Sequence, residues 1–294
     1  MNYIFLNKYQ NIKIFFTVFL FWVSIQFGET IEDSLAFVLV ISIGIMHGAN
    51  DLLILSLKKI NNTNLKKNLF IYIGIVLSCV FLFLLYPFLS ILLFLLISCY
   101  HFGEEHLSDK VSINHFFDIS YFTVYGMLIF SMLFYAALPE VNTIMKELSA
   151  VEFSFNQIMY SLIFSFVFFL GMNLFLLWKK KILLPEFLKE LFFLVLLSLV
   201  FNTSSLILSF AIYFIFWHSI PSIIHQIFFI SGDFTKKTVF FYVKKALFYW
   251  LLSIAGLLLL YFLIPQINLF STVIFVILLS VTAPHIWVMY RMKN

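Results

Sequence analysis

The sequence predicts an all-α fold: a polytopic transmembrane helix bundle of about ten spanning helices, with N- and C-termini cytoplasmic and residues 1–294 forming a single transmembrane domain. Three observations predict it. Of the 294 residues, 63% are hydrophobic and 11% charged, and the mean hydropathy is +1.05, whereas a soluble domain is about 45–50% apolar and about 25% charged. Apolar runs long enough to cross a bilayer recur along the chain. The basic residues gather in the gaps between alternate runs. A soluble enzyme, a nucleic-acid binder and a secreted disulfide scaffold are excluded, because no water-soluble fold hides this much apolar surface.

The first run, about 12–28, follows Lys8 and Lys13 and lacks a small-x-small cleavage site, so it reads as a retained helix rather than a removed signal peptide. The following runs are about 34–57, 69–86, 88–107, 116–138, 155–178, 187–201, 205–230, 243–264 and 267–290. Pro87 is the strong punctuation between the third and fourth, and the seventh is short. The longest loop falls at about 139–154, too short for a soluble domain. Cys79 and Cys99, the two cysteines, lie inside apolar runs and read as buried free thiols. Abundant Phe, 41 residues, carries no functional weight by itself, since genome composition produces the same bias.

Charge gives an independent test of the topology. With the N-terminus in the cytoplasm and ten crossings, every one of the 18 Lys and Arg residues except Lys146 falls on the inner side, as the positive-inside rule requires of a plasma (inner) membrane protein. A miscounted helix in the middle of the chain scrambles that split.

Ionisable residues within a span are costly and face a bundle interior or an aqueous pocket. Of the seven histidines, His47 lies in the second run, His101 in the fourth, His218 and His225 in the eighth and His285 in the tenth. His106 and His115 stand at or beyond a cytoplasmic helix end. Thirteen residues separate Ser34 from His47, Phe88 from His101 and Ser205 from His218. At 1.5 Å per residue the three imidazoles share a depth of about 20 Å, in the cytoplasmic half of the membrane, and His285 lies somewhat deeper. A shared level on separate helices is what a metal site in a bundle core requires. Separate, merely hydrogen-bonded histidines have no reason to share one.

Asp51 follows His47 by four residues and Glu105 stands in the same relation to His101. Each carboxylate is therefore expected to orient the imidazole one turn above it, although a solvated helix end also accounts for Glu104 and Glu105. Gly48 and Gly103 are expected to let membrane helices approach closely. An imidazole set without Cys suits iron, zinc, copper or nickel rather than magnesium or calcium, and residue types alone do not choose among the four.

The stretch His47-Gly48-Ala49-Asn50-Asp51 resembles the HGxxD element of the Brp/Blh family of bacterial and archaeal β-carotene 15,15′-dioxygenases. Tyr100-His101-Phe102-Gly103 resembles its HFG element, Phe216-Trp217-His218-Ser219 its third His segment, and Pro284-His285 its C-terminal Pro-His pair. The four elements stand in the family's order. The resemblance implies a membrane oxidoreductase that binds ferrous iron, Fe(2+), through His and cleaves β-carotene with dioxygen at its central 15,15′ double bond, giving two retinal. His47, His101 and His218 match ligand positions and are the implied catalytic residues. The family has a further His four residues after the third ligand, where Ser222 stands here. The fourth ligand is therefore either His225, presented by a bend at Pro221, or His285.

A C40 polyene dissolves in lipid and is about as long as the hydrocarbon core is thick, about 30 Å, so an enzyme without a soluble domain collects it sideways from the bilayer. Tyr100, Phe102, Phe214 and Trp217 are candidates to line a slot for it, against their plainer role as packing. A rhodopsin is the implied consumer of the retinal. Two alternatives follow from other classes. A di-iron membrane oxidase or hydroxylase is expected to carry HxxHH-type clusters, which this chain lacks. A transporter using the His and Asp51 as a cation path is expected to show paired repeats and broken helices, neither of which the sequence displays.

Overall fold

The computed structural model describes residues 3–57, 65–263 and 267–293, and the described residues form helices and turns with no strand. Eleven helical rods follow in order: α1 (Tyr3–Gln26), α2 (Glu29–Ser56), α3 (Leu65–Leu85), α4 (Pro87–Leu107), α5 (His115–Ala136), α6 (Leu138–Ser149), α7 (Phe155–Trp178), α8 (Leu184–Thr203), α9 (Leu206–Ser231), α10 (Lys236–Leu263) and α11 (Ile267–Lys293). Seven of them, α2, α3, α4, α5, α7, α9 and α10, are long and apolar enough to cross a membrane. The protein is a multi-pass, all-helical membrane protein. Glu186, Lys189 and Glu190 in its first turns set α8 apart from those seven. The expected run at 267–290 corresponds to α11, much of whose N-terminal half lies outside the described side chains.

Two boundaries that composition left faint are sharp. Tyr86, with φ −139° and ψ 72°, separates α3 from α4, because the residue before a proline is pushed out of helical geometry. Ser205 caps α9, its hydroxyl accepting from Leu208 N–H after an extended Ser204. The expected loop at 139–154 is corrected: α6 occupies most of it. Val141, Met145 and Leu148 of α6 recur at helical spacing and bury against Phe83, Ile91 and Leu279, a short amphipathic pattern that a search for full-length crossings passes over.

The main core lies between α4, α5, α7, α8 and α9. The α4–α5 crossing is a close one, for a reason visible atom by atom. A Cβ on Gly103 would stand 1.8 Å from the Phe122 carbonyl oxygen, and one on Gly126 would stand 1.9 Å from the Cys99 carbonyl oxygen. Reciprocal glycines thus bring the two backbones into direct contact, the small-residue packing that lipid-embedded helices use in place of a hydrophobic driving force. Gly48 has no such role, since a Cβ there meets only an ordinary contact, 3.9 Å from His285 Nδ1.

Two rods contain a wide π-helical turn, Val40–Gly44 in α2 and Tyr213–Ser219 in α9, and the two turns pack on each other. Pro221 explains the second. It has no N–H to offer the carbonyls of Trp217 or Phe216, and its ring crowds the preceding turn. The Tyr9 hydroxyl donates to the freed Phe216 oxygen at 2.5 Å. In α2 the Trp250 indole N–H donates to the Ile41 oxygen at 2.8 Å. Each wide turn therefore has a backbone carbonyl satisfied by an aromatic donor from another helix. Gly44 lets the turns meet: a Cβ there would lie 3.0 Å from the Phe214 ring.

Candidate metal centre

His47, His101, His218 and His285 come from four rods and are 4%, 1%, 2% and 4% exposed. His47 follows the wide turn of α2, His218 sits inside that of α9, His101 lies on α4 beside the glycine crossing, and His285 follows Pro284 in α11. The N-terminal ends of α2 and α9 are pinned together. Ser205 donates its backbone N–H to Glu32 at 2.6 Å and its hydroxyl to Asp33 at 2.8 Å. Both rods then pass through one wide turn, so His47 and His218 arrive at one level.

The rings converge. His47 Nε2 and His285 Nε2 are 2.8 Å apart, and donor atoms of His47, His101 and His285 all lie within 4.8 Å of one another. His218 closes the group edge-on, its ring centroid 4.7 Å from that of His101 and 5.1 Å from that of His47. Two nitrogens bound to one ion at about 2.1 Å each stand about 3 Å apart when at right angles, so the His47–His285 spacing suits a shared ion. Neither ring nitrogen of His101, nor Nδ1 of His47 or His218, has a hydrogen-bond partner among the described residues. Buried polar atoms are rarely left that way; a neutral imidazole has one lone pair to give an ion, and His101 keeps that lone pair uncommitted.

The carboxylates pair differently from the sequence expectation. Asp51 Oδ1 lies 2.8 Å from His285 Nδ1 and orients that ring instead of His47. The reason is local. The α2 helix breaks at Ala49–Asn50, with Asn50 at φ −99° and ψ 10°, which cancels the one-turn relation and opens a slot that His285 fills. With its Nδ1–H donated to Asp51, His285 turns a lone pair on Nε2 toward His47. Tyr72 donates to the other Asp51 oxygen at 3.4 Å. Glu105 likewise does not reach His101. Its Oε1 lies 2.7 Å from His225 Nδ1, and His225 Nε2 lies 3.2 Å from Asp109. His225 is therefore occupied by carboxylates away from the imidazole group. The distortion at Pro221 widens the turn upstream, at His218, rather than swinging His225 inward.

Of the aromatic candidates, Phe102 packs on His218 at a centroid distance of 4.4 Å, and Phe214 stacks on the same ring at 5.8 Å with 19° between planes. Tyr100 donates to Glu104 at 2.9 Å. Trp217 faces away from the group. Its N–H donates to Thr17 at 3.0 Å and Lys13 Nζ lies 4.0 Å from its ring centre.

The sequence reading missed the residues that hold the His47 backbone. Gln226 donates to the His47 carbonyl at 3.1 Å, Tyr242 donates to the Gln226 oxygen at 2.8 Å, and Asn50 donates to the Tyr242 carbonyl at 3.2 Å. An amide such as Gln226 within an apolar span was the available signal, because such groups are kept only with partners.

Fold and site together define the class: a multi-pass membrane protein with a buried intramembrane imidazole cluster able to hold a metal ion. A family model described as Beta-carotene 15,15′-dioxygenase matches residues 38–293, a span that includes all four imidazoles. The chain belongs to that family and is an enzyme of this kind. No curated protein and no solved structure matches it.

Proposed function

We propose that the enzyme uses ferrous iron to cleave β-carotene, taken from the bilayer, at its central double bond. The reaction balances without another reactant: the 15,15′ bond breaks, each carbon receives one atom of dioxygen, and two molecules of retinal result. The observation that supports this reading best is the convergence of four buried imidazoles from separate helices: donor atoms of His47, His101 and His285 lie within 4.8 Å of one another, with the His218 ring against those of His47 and His101. His47, His101, His218 and His285 would hold the ion, His285 being favoured over His225 because His225 is engaged by Glu105 and Asp109. An all-imidazole donor set fits iron and leaves its charge intact. When bound, the metal supplies the activation of dioxygen that protein side chains lack.

The chain's own residues do the remaining work. Asp51 holds His285 in one tautomer and raises its basicity. Phe102 and Phe214, flat and apolar beside His218, offer a surface on which a polyene lies with its middle at the cluster, and regiochemistry then follows from position. Tyr100, hydrogen-bonded to Glu104, would border that slot, while the orientation of Trp217 toward α1 favours packing. We read the chain as ten crossings with both ends on the cytoplasmic side of the plasma membrane, on the strength of the basic-residue distribution. Retinal would leave into the lipid, available to a rhodopsin.

Purified protein analysed for metal, then supplied with β-carotene and assayed for retinal by chromatography, tests the proposal. His47→Ala and His101→Ala are expected to lose both bound iron and retinal formation. Full activity in either variant, or protein that forms retinal without metal, overturns it. Cells that make β-carotene are expected to bleach when the protein is expressed.

A further inference from the structure

Three of the four imidazole-bearing rods continue inward past their histidines to one carboxylate. Glu105 lies one turn beyond His101 on α4, and its side chain is 1% exposed. From α9, two turns beyond His218, His225 Nδ1 reaches Glu105 Oε1 at 2.7 Å. From the end of α11, about two turns beyond His285, Lys293 Nζ reaches Glu105 Oε2 at 3.4 Å, with Glu104 at 3.5 Å and the Ser108 hydroxyl at 3.4 Å. The fourth rod joins indirectly, since Gln226, next to His225, donates to the His47 carbonyl. Asp109 Oδ2 lies 3.2 Å from the second nitrogen of His225, so both ring nitrogens of that residue face carboxylates.

We propose that Glu105 is a positioning residue whose carboxylate, bridging His225 and Lys293, holds α4, α9 and α11 at the spacing where His101, His218 and His285 meet. The proposal rests on the metal-site reading above. The physical argument is one of constraint. Helices in lipid lack a hydrophobic force that fixes their mutual spacing, and apolar contacts tolerate sliding. A buried carboxylate at ion-pair distance from a basic group on each side is costly to part from either, because it would be left as an uncompensated buried charge. Set one to two turns from the imidazoles, it turns a loose bundle into a fixed donor geometry.

A second buried ion group on α4 provides the control. His106 Nε2 lies 2.8 Å and Lys110 Nζ 2.7 Å from Glu190 of α8, and α8 carries none of the converging imidazoles. Both groups tie helices together, but only the first joins imidazole-bearing rods to one another.

The test uses full-length protein in detergent, loaded with Co(II) as a probe of the site. Metal affinity is read by chelator competition, site geometry by the visible spectrum of the bound ion, and folding by thermal unfolding. Glu105→Gln is expected to weaken Co(II) binding by about 10–100-fold, as loss of outer-shell support does, and to alter the spectrum. Glu105→Asp is expected to recover part of the affinity. Glu190→Gln is expected to lower the unfolding temperature while leaving affinity and spectrum at wild-type values. Should Glu105→Gln fail to fold, His225→Gln and Lys293→Met each remove one arm of the bridge and are read the same way. Folded variants of the bridge with wild-type affinity and spectrum overturn the proposal, as does an equal loss of affinity in Glu190→Gln. Wild-type protein that takes up no Co(II) overturns the metal-site reading and this proposal with it, an outcome distinct from loaded wild type with an unaffected Glu105→Gln.

Discussion

His285 Nδ1 and Asp51 Oδ1, 234 residues apart in the chain, lie 2.8 Å apart inside the bundle. This contact joins the end of the polypeptide to its second rod and aims the far nitrogen of His285 at His47. Asp51, His285 and His47 thus form one line across two helices. Asp51→Asn keeps an acceptor oxygen but removes its charge, so the imidazole becomes a weaker donor to a metal. Metal affinity is expected to fall by about 10–100-fold, measured by chelator competition, and retinal formation to fall with it. Unchanged affinity in both Asp51→Asn and Asp51→Ala would sink this role.

His225 and His285 separate cleanly by mutation. His285→Ala is expected to abolish stable metal binding, whereas His225→Gln is expected to retain metal at reduced affinity. Metal content after gel filtration distinguishes them, and the reverse pattern would make His225 the ligand.

The α4–α5 crossing leaves no room for a methyl group. Gly103→Ala and Gly126→Ala place a carbon against the backbone of the opposing helix, and overpacking of this kind costs typically about 1–3 kcal/mol or more. Gly171→Ala in α7, with nothing within 4 Å of the new carbon, is expected to stabilise by up to about 1 kcal/mol through helix propensity. Thermal unfolding of the three variants side by side is the measurement, and equal effects at Gly126 and Gly171 would refute the close crossing.

Tyr9→Phe removes the hydroxyl that satisfies the Phe216 carbonyl in the wide turn of α9. Leaving a buried acceptor unsatisfied costs about 1–3 kcal/mol. Because that turn carries His218, retinal formation is expected to drop by more than the fraction of unfolded protein explains. A variant that loses stability but keeps full specific activity would uncouple the turn from the site.

Asp109 lies beyond the end of α4, and its hydrogen bond with His225 holds its carboxyl below the ordinary carboxylate range. A carboxyl whose folded-state value is depressed contributes stability that is present above its unfolded value and is lost as pH falls through the folded one. Asp109→Asn is therefore expected to lower the unfolding temperature near neutral pH and to flatten its decline on acidification. Parallel wild-type and variant profiles between about pH 7 and about pH 3 would contradict this.

Much was legible in one dimension because the bilayer is a severe solvent. It demands long apolar helices, so the seven rods α2, α3, α4, α5, α7, α9 and α10 follow from hydropathy, and the α3–α4 boundary from Pro87. It penalises buried ionisable groups, so five intramembrane histidines and Asp51 announced themselves, and helical rise alone put three of those rings at one depth. The short helix α6 escaped because its signal is one apolar stripe rather than a full crossing.

Which side chain meets which was decided only in three dimensions. Spacing of four residues paired Asp51 with His47 and Glu105 with His101, on the assumption of unbroken α-helix. The break at Ala49–Asn50 takes Asp51 off that register, whereas α4 is unbroken and Glu105 keeps its place one turn beyond His101; each carboxylate meets the imidazole that a neighbouring rod delivers, His285 for Asp51 and His225 for Glu105. Periodicity reports what lies on one face of one rod. The rotation of each rod about its axis is set by contacts with the others, such as Trp250 on Ile41, Ser205 on Glu32 and Asp33, and the backbone contact at Gly103 and Gly126.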